Sequence, residues 1–331
     1  MKLAFLAFTS KGEALARRLA AALGGEAMRC GNPLGLQEWT AAQFEQADGL
    51  VYVGAAGIAV RAVAPYLNSK GADPAVVAVD ECAQFAIPLA SGHWGGANDL
   101  ARRIARLCGA QAAITTATDV NGLFAVDEWA KTQGCRLLRP KKVKAVSAAV
   151  LQGKTVRVRA RWTIAGPPPV FVRQGGGEGY DILLDVAGDG GDALWLVPPI
   201  GVLGIGCKKG TSWEALEEAL QVTMAAQHLA LEAIGGVASI DWKRDEPGLV
   251  AFCRRHGWPL ACYTASQLGQ APGTFTPSAF VQNVVGVDNV CERSAVLSAG
   301  GGLFQRKTVH HGVTMAVALR PFYPDWSWRH E

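Results

Sequence analysis

Apolar positions along this chain fall in short dense runs, and between them they recur at spacings of three and four. That is the pattern of buried strands alternating with helices. Residues 2–8 form the first dense run, followed by helical spacing over 13–23 and 37–46. Residues 50–53, 75–79 and 85–89 read as further buried strands, with helices over 56–67 and 98–108, a strand at 112–115 and a helix over 124–132. Alternation of this kind predicts a parallel sheet covered on both faces. The pattern loosens near 134–140. Beyond it, a helix over 143–151 and β runs at 155–162, 170–173 and 182–186 are separated by Gly166-Pro167-Pro168-Pro169 and Gly175-Gly176-Gly177, which mark turns. After Pro198-Pro199 come a strand at 202–206, a long helix from about 213 to 234, a strand at 237–241, a helix over 247–256, a strand at 259–263 and a helix over 289–299. A hairpin of 303–309 with 313–319 ends the pattern. The expected architecture is multidomain α/β: parallel-sheet domains at 1–135 and 200–331 around a small α+β segment at 136–199.

The length of 331 residues fits two or three domains, each with its own core. The opening apolar run is too short for a signal peptide, and no stretch approaches the roughly 20 apolar residues of a membrane helix. The expected location is cytoplasmic, with no membrane partner. Eight cysteines (30, 82, 108, 135, 207, 253, 262 and 291) are scattered without a C-x-x-C pair, so reduced thiols are expected and a protein-bound metal is not. A net charge of +4 is small for this size and gives nucleic acid no support as a partner. Its distribution is uneven. Residues 139–173 hold nine basic side chains and no acid, and Arg157, Arg159 and Arg161 alternate so as to share one strand face. Such a stretch is a solvated face or, given its lack of acids, a surface for an anionic partner.

Candidate chemistry concentrates between Leu50 and Asp99. Gly54 and Gly57 form a strand-to-helix turn, and Arg61 lies one turn into the helix. The strand at 75–79 ends in Asp80-Glu81, and the next leads into Ser91-Gly92-His93-Trp94-Gly95-Gly96-Ala97-Asn98-Asp99. Polar residues just past strand ends of an open α/β sheet lie where ligands bind. His93 is the only histidine in the first 227 residues, and its glycine-rich setting favours a catalytic or ligand-contacting role. Ser91, Asn98, Asp99, Asp80 and Glu81 are the neighbours expected to fix its tautomer or share proton transfer. Ser91 as nucleophile lacks the G-x-S-x-G setting. His228, His256 and His330 read as surface residues, and His310-His311 as a solvent-facing hairpin tip.

A second glycine-rich turn, Gly204-Ile205-Gly206-Cys207-Lys208-Lys209-Gly210-Thr211-Ser212, joins a strand to a helix. It offers backbone N–H groups and lysines to a carboxylate, or it is a tight turn with Thr211 or Ser212 as helix cap. It is not a Walker A loop, because the Gly-Lys-Ser/Thr order is absent, nor a dinucleotide fingerprint, because Lys209 stands at the third glycine position. Asp241, at the end of a neighbouring strand, would face the same crevice.

The blocks G-A-A-G-I-A-V-R-A-V-A-P-Y-L at 54–67, D-P-A-V-V-A-V-D-E at 73–81, S-G-H-x-G-G-A-N at 91–98, G-I-G-C-K-K-G-T-S at 204–212, S-I-D-W-K-R-D-E at 239–246 and G-V-D-N-V-C-E at 286–292 resemble the CbiG family of cobalamin biosynthesis, the cobalt-precorrin-5A hydrolases. The resemblance implies a hydrolase that opens the ring A δ-lactone of cobalt-precorrin-5A and releases acetaldehyde, giving cobalt-precorrin-5B in the anaerobic pathway. It implies no cofactor, because cobalt arrives inside an anionic corrinoid, and it makes other enzymes of the pathway candidate partners. On that basis His93 is the expected base, with Asp80 or Glu81 orienting it, Glu81 or Asp99 as proton relay, and the amides of Gly92, Gly95 and Gly96 as oxyanion donors. Lys208, Lys209, Thr211 and Ser212 would hold the macrocycle. His93 as axial cobalt ligand is the alternative role. A non-catalytic corrinoid carrier is the alternative function, and a nucleotide-binding or methyl-transfer enzyme is disfavoured by the broken fingerprint at Lys209.

Overall fold

The computed structural model describes residues 1–68, 73–175, 179–188 and 191–328, so Gly176, Gly177 and His330 of the readings above lie outside the described residues. Contacts divide it into two compact units, Met1–Trp129 together with Trp328, and Ala130–Ser327. No described helix is long and apolar enough to cross a membrane.

The first unit runs β1 (Leu3–Ala7), α1 (Ser10–Leu23), β2 (Glu26–Arg29), α2 (Leu36–Gln46), β3 (Gly49–Val53), α3 (Ala56–Val63), β4 (Ala75–Val79), β5 (Phe85–Ala90), α4 (Ala97–Cys108), β6 (Gln111–Ala112), α5 (Ala117–Val120) and the start of α6 (Val126–Thr132), whose last three residues belong to the second unit. Its sheet has the order β2-β1-β3-β4-β5-β6. Strands β1, β3 and β4 are buried at every position, as continuous apolar runs must be when both sheet faces are covered. Phe5, Val51 and Val77 pack with Leu15 and Leu19 of α1 and Leu100 and Ile104 of α4. Leu6, Leu50 and Tyr52 pack on the other face with Trp39 of α2 and Val63 of α3.

One strand runs against expectation. β5 pairs antiparallel with β4, Val79 opposite Ala86 and Val76 opposite Ala90. Only residues 80–84 connect them, and a connection that short permits a hairpin but no parallel crossover. The residues after β5 therefore emerge at the end of the sheet where β4 begins.

The second unit holds two sheets. The first is built from β7 (Arg136–Leu138), β8 (Val156–Ala160), β9 (Val172–Gln174), β10 (Ile182–Leu184) and β11 (Leu194–Val197), with α7 (Val143–Leu151) between β7 and β8. Its order is β7-β11-β10-β8-β9, parallel except for β7. Val156 and Val158 point inward, and Arg157 and Arg159 outward, as the alternation requires. Acids from elsewhere in the chain meet this basic stretch: Asp185 takes Arg161 at 2.6 Å, and Asp192 takes Lys142.

The other sheet follows with β12 (Gly201–Gly206), α8 (Trp213–Ala226), β13 (Ile234–Ile240), α9 (Pro247–His256), β14 (Leu260–Tyr263), α10 (Ala265–Gly269), α11 (Ala279–Val285), α12 (Cys291–Ala299), β15 (Leu303–His310) and β16 (Val313–Leu319), ordered β14-β13-β12-β16-β15. Leu183 and Val197 of one sheet share a core with Leu203, Ile205 and Phe252 of the other. Helix α8 is shorter than its spacing predicts. His228, at φ 49°, turns the chain back so that Leu229 and Ala230 enter this core.

Candidate active site

The loop between β5 and α4 folds on its own glycines. Ser91 O and Gly92 O accept the amides of Ala97 and Asn98, and His93 O accepts that of Gly96 at 3.0 Å. A Cβ on Gly95 would stand 2.3 Å from Ser91 Cβ, and Gly96 has φ 87° at the start of α4, so both positions require glycine. The result is a compact turn that presents His93 beside the first turn of α4.

Three carboxylates converge on that imidazole. Asp119 Oδ2 of α5 lies 2.6 Å from Nε2, Asp127 Oδ2 of α6 lies 3.1 Å from Nδ1, and Glu128 Oε1 lies 3.6 Å from Nε2. Asn98 Nδ2, buried on α4, donates to Thr116 Oγ1 at 3.0 Å and to Asp119 Oδ2 at 3.2 Å. Arg102, one turn further along α4, pairs with Asp119 Oδ1 and with Asp99 at 3.1 Å. Glu128 is 6% exposed and makes no hydrogen bond among the described residues. Asp127 Oδ1 is likewise buried without a partner.

These surroundings set the charges. Burial disfavours the His93 cation, but hydrogen bonds to Asp119 and Asp127 and the nearby negative charges outweigh it and push the imidazole up to about 10. Burial opposes the Asp119 anion too, and there the bonds from His93 and Arg102 win and hold the carboxyl below its ordinary value. Glu128 is pushed up by its burial to about 7, only partly relieved by the His93 charge. The chain thus holds a positive imidazole among acids, which is a poor free base.

The expected partners of His93 are placed otherwise. Asp80 accepts the amides of Cys82, Gln84 and Phe85 at 2.9, 2.8 and 2.6 Å and so closes the β4–β5 turn. Glu81 accepts Thr9 Oγ1 at 2.6 Å. Both sit at the far end of β4 from His93, roughly 16 Å away by strand rise, because β5 reverses. Gly54 belongs to that same far edge. Its N–H donates to Val79 O, and a Cβ there would lie 2.6 Å from the Phe8 ring, so it is needed for packing. Gly57 and Arg61 are exposed on α3. Asp99 reaches the cluster through Arg102. Of the oxyanion donors, the Gly96 amide is already given to His93 O. Ser91 Oγ is buried with no partner, so nothing activates it as a nucleophile. Both nitrogens of His93 face acids, Nδ1 towards Asp127 and Nε2 towards Asp119.

In the second unit, Ser212 caps α8 by accepting the Ala215 amide, and Thr211 Oγ1 donates to Lys208 O. The Gly210 amide, expected to meet a ligand carboxylate, donates to Glu246 Oε1 at 2.7 Å, and Glu246 also holds Lys243 at 2.8 Å. Gly204 and Gly206 admit Cys291 O and Thr314 Oγ1, which a Cβ would meet at 1.8 and 2.6 Å. Asp241 accepts the Trp242 amide. Lys208 and Lys209 are exposed. His256 is not a surface residue: it stacks on Trp258 at 4.1 Å and meets Glu217 at 2.8 Å.

Asp119, Asp127, Glu128 and Arg102 escaped the sequence reading. A signal was present for two of them: Asp127-Glu128 interrupt the apolar run Phe124-Ala125-Val126 and Trp129-Ala130, whose members are all buried. Acids set in such a run cannot all face water.

A family model described as Cobalamin synthesis G N-terminal matches residues 38–119, and one described as Cobalamin synthesis G C-terminus matches residues 201–318. The cobalt-precorrin-5A hydrolase of Salmonella typhimurium is 35% identical over 348 aligned positions, covering 96% of this chain and 97% of its own. That of Priestia megaterium is 29% identical over 306 positions, covering 84% and 80%. The crystal structure of a cobalamin biosynthesis protein G homologue from Sulfolobus solfataricus aligns over 97% of both chains with a TM-score of 0.43 at 21% identity.

Proposed function

The chain belongs to the cobalamin synthesis G family, and on that premise we propose that it is a cobalt-precorrin-5A hydrolase, which opens the ring A δ-lactone and releases acetaldehyde to leave cobalt-precorrin-5B. The observation that carries this reading is the end-to-end likeness to the Salmonella hydrolase.

The chemistry belongs at the His93 cluster. Opening a lactone requires that water lose a proton as its oxygen attacks the carbonyl, that the resulting oxyanion be stabilised, and that the leaving alkoxide be protonated. Asp127 Oδ1 and Glu128 are the carboxylate groups with no hydrogen donor, so one of them receives the proton of the water and returns it to the alkoxide. The positive charge of His93 and Arg102 stabilises the oxyanion. Release of acetaldehyde then needs the freed hydroxyl to lose its proton to a carboxylate while the carbon–carbon pair passes into the macrocycle. His93 acts here as a positioned cation rather than as the base.

Anaerobic incubation with cobalt-precorrin-5A, trapping aldehyde while following the corrinoid by mass, tests the reading. One acetaldehyde per corrinoid consumed is expected. An unchanged corrinoid retained on the protein would overturn the hydrolase in favour of a carrier.

A further inference from the structure

We propose that His93 Nε2, Asp119 Oδ2 and Glu128 Oε1 bind one first-row divalent cation of the Zn2+ type, and that the water on its remaining position is the one that opens the lactone. The binding site stands on geometry alone, whereas the part given to its water rests on the hydrolase reading.

One ligand atom from each of the three residues lies within 4.8 Å of the others, and among the described residues they are the sole such group of His, Cys, Asp or Glu. An ion about 2.0–2.2 Å from each would fit that span once the short His93–Asp119 contact opens around it. Three protein ligands with a place left for water match the ligand count of a catalytic zinc, with imidazole nitrogen and carboxylate oxygen both among the donors that Zn2+ accepts. The nitrogen ligand disfavours Mg2+, which takes oxygen.

The surroundings are built for it. Asp127 Oδ2 at 3.1 Å from Nδ1 accepts the ring N–H and aims Nε2 at the cluster, as carboxylates behind metal-bound histidines do; the Nε2 proton leaves when the ion enters. Glu128, 94% buried by its 6% exposure, has no hydrogen bond among the described residues, and its Oε1 points at Nε2 from 3.6 Å. Its nearest cation, the His93 imidazole, stands beyond hydrogen-bond reach; a buried carboxylate held only at that distance is costly, and an ion supplies a direct partner. Charge agrees: Asp99, Asp119, Asp127 and Glu128 face Arg102 and His93. Ligation displaces the second proton of His93, so in the loaded site Arg102 alone offsets four acids, a dication balances most of the remainder, and the ion takes over the oxyanion-stabilising charge that the imidazolium carries in its absence.

With the ion in place, Glu128 is a ligand, and Asp127 Oδ1 is the carboxylate oxygen left to take the proton from the bound water. The hydroxide adds to the lactone carbonyl, the ring C–O bond breaks, and the alkoxide recovers that proton. The net change is addition of one water.

The test uses the full chain, stripped with chelator and titrated with Zn2+ by equilibrium dialysis, with Co2+ as a visible-absorbing substitute. One saturable ion per chain is expected. Glu128→Gln should weaken it by about 100-fold or more, and Asp127→Asn by about 10- to 100-fold. His93→Ala is a second probe, but the near-isosteric Glu128→Gln, checked for native circular dichroism, carries the decision. Absence of saturable binding, or binding unchanged in Glu128→Gln, overturns the site. Acetaldehyde release is measured separately. Release that survives complete metal removal overturns the role of the bound water. Metal binding without any release overturns the hydrolase reading and leaves the site standing.

Discussion

Asp127 Oδ2 holds one nitrogen of His93, 3.1 Å from Nδ1, and so commits the other nitrogen to the side where Asp119 and Glu128 wait. Two residues adjacent in sequence thereby do different work: Asp127 orients the ring and Glu128 faces its far nitrogen. Asp127→Asn keeps the shape and loses the charge. Acetaldehyde release should fall about 10- to 100-fold with KM little changed. Steady-state turnover with a melting curve checks it, and a loss under about threefold in a well-folded variant would remove Asp127 from the mechanism.

Asp80 is a structural residue, because three backbone amides end on its carboxylate. Asp80→Ala leaves those donors unpaired at the β4–β5 turn and should cost roughly 1–3 kcal/mol. Turnover at a temperature where the variant is folded should stay within about twofold. Denaturant unfolding together with turnover separates this from the catalytic role its sequence position suggested.

Gly204 lets α12 lie against β12. A methyl there meets Cys291 O at 1.8 Å and Ala295 Cβ at 2.9 Å, neither on a flexible side chain. Gly204→Ala should destabilise the protein by roughly 1–3 kcal/mol through overpacking. A thermal midpoint unchanged by the substitution would show that α12 moves away freely.

Ser91 Oγ lies buried without a partner. Removing it deletes an unsatisfied polar atom and no hydrogen bond, so Ser91→Ala should leave stability equal or higher by up to about 1 kcal/mol. Turnover should be within about twofold of the parent, and mass spectrometry during turnover should detect no covalent adduct. An acyl-enzyme on Ser91 would refute this.

The strands legible in the sequence were those whose runs are apolar at every position, such as 50–53 and 75–79, because burial on both faces leaves no other composition. β7 and β11 were missed: Arg136-Leu137-Leu138 and Leu194-Trp195-Leu196-Val197 are too brief to show a period. The direction of β5 was the costly omission. Period marks a strand without its polarity, and reading β5 as parallel put Asp80 and Glu81 beside His93 when the hairpin sends them to the opposite end. The glycines around His93 single it out in the sequence, and the structure gathers three carboxylates on it. Its true neighbours arrive from α5 and α6, some 26 and 34 residues later in the chain, and no local pattern ties them to it.

The reversal of β5 also bears on how the first unit forms. Pairing Val79 with Ala86 closes a loop only a few residues long, whereas pairing Leu3 with Gly49 must bring together ends more than forty residues apart. Loop-closure entropy and the dependence of folding rate on contact separation both favour the hairpin as an early contact. The strand that carries the histidine turn is thus the least demanding part of its sheet to make, and the acids of α5 and α6 come to a ring whose footing is already in place.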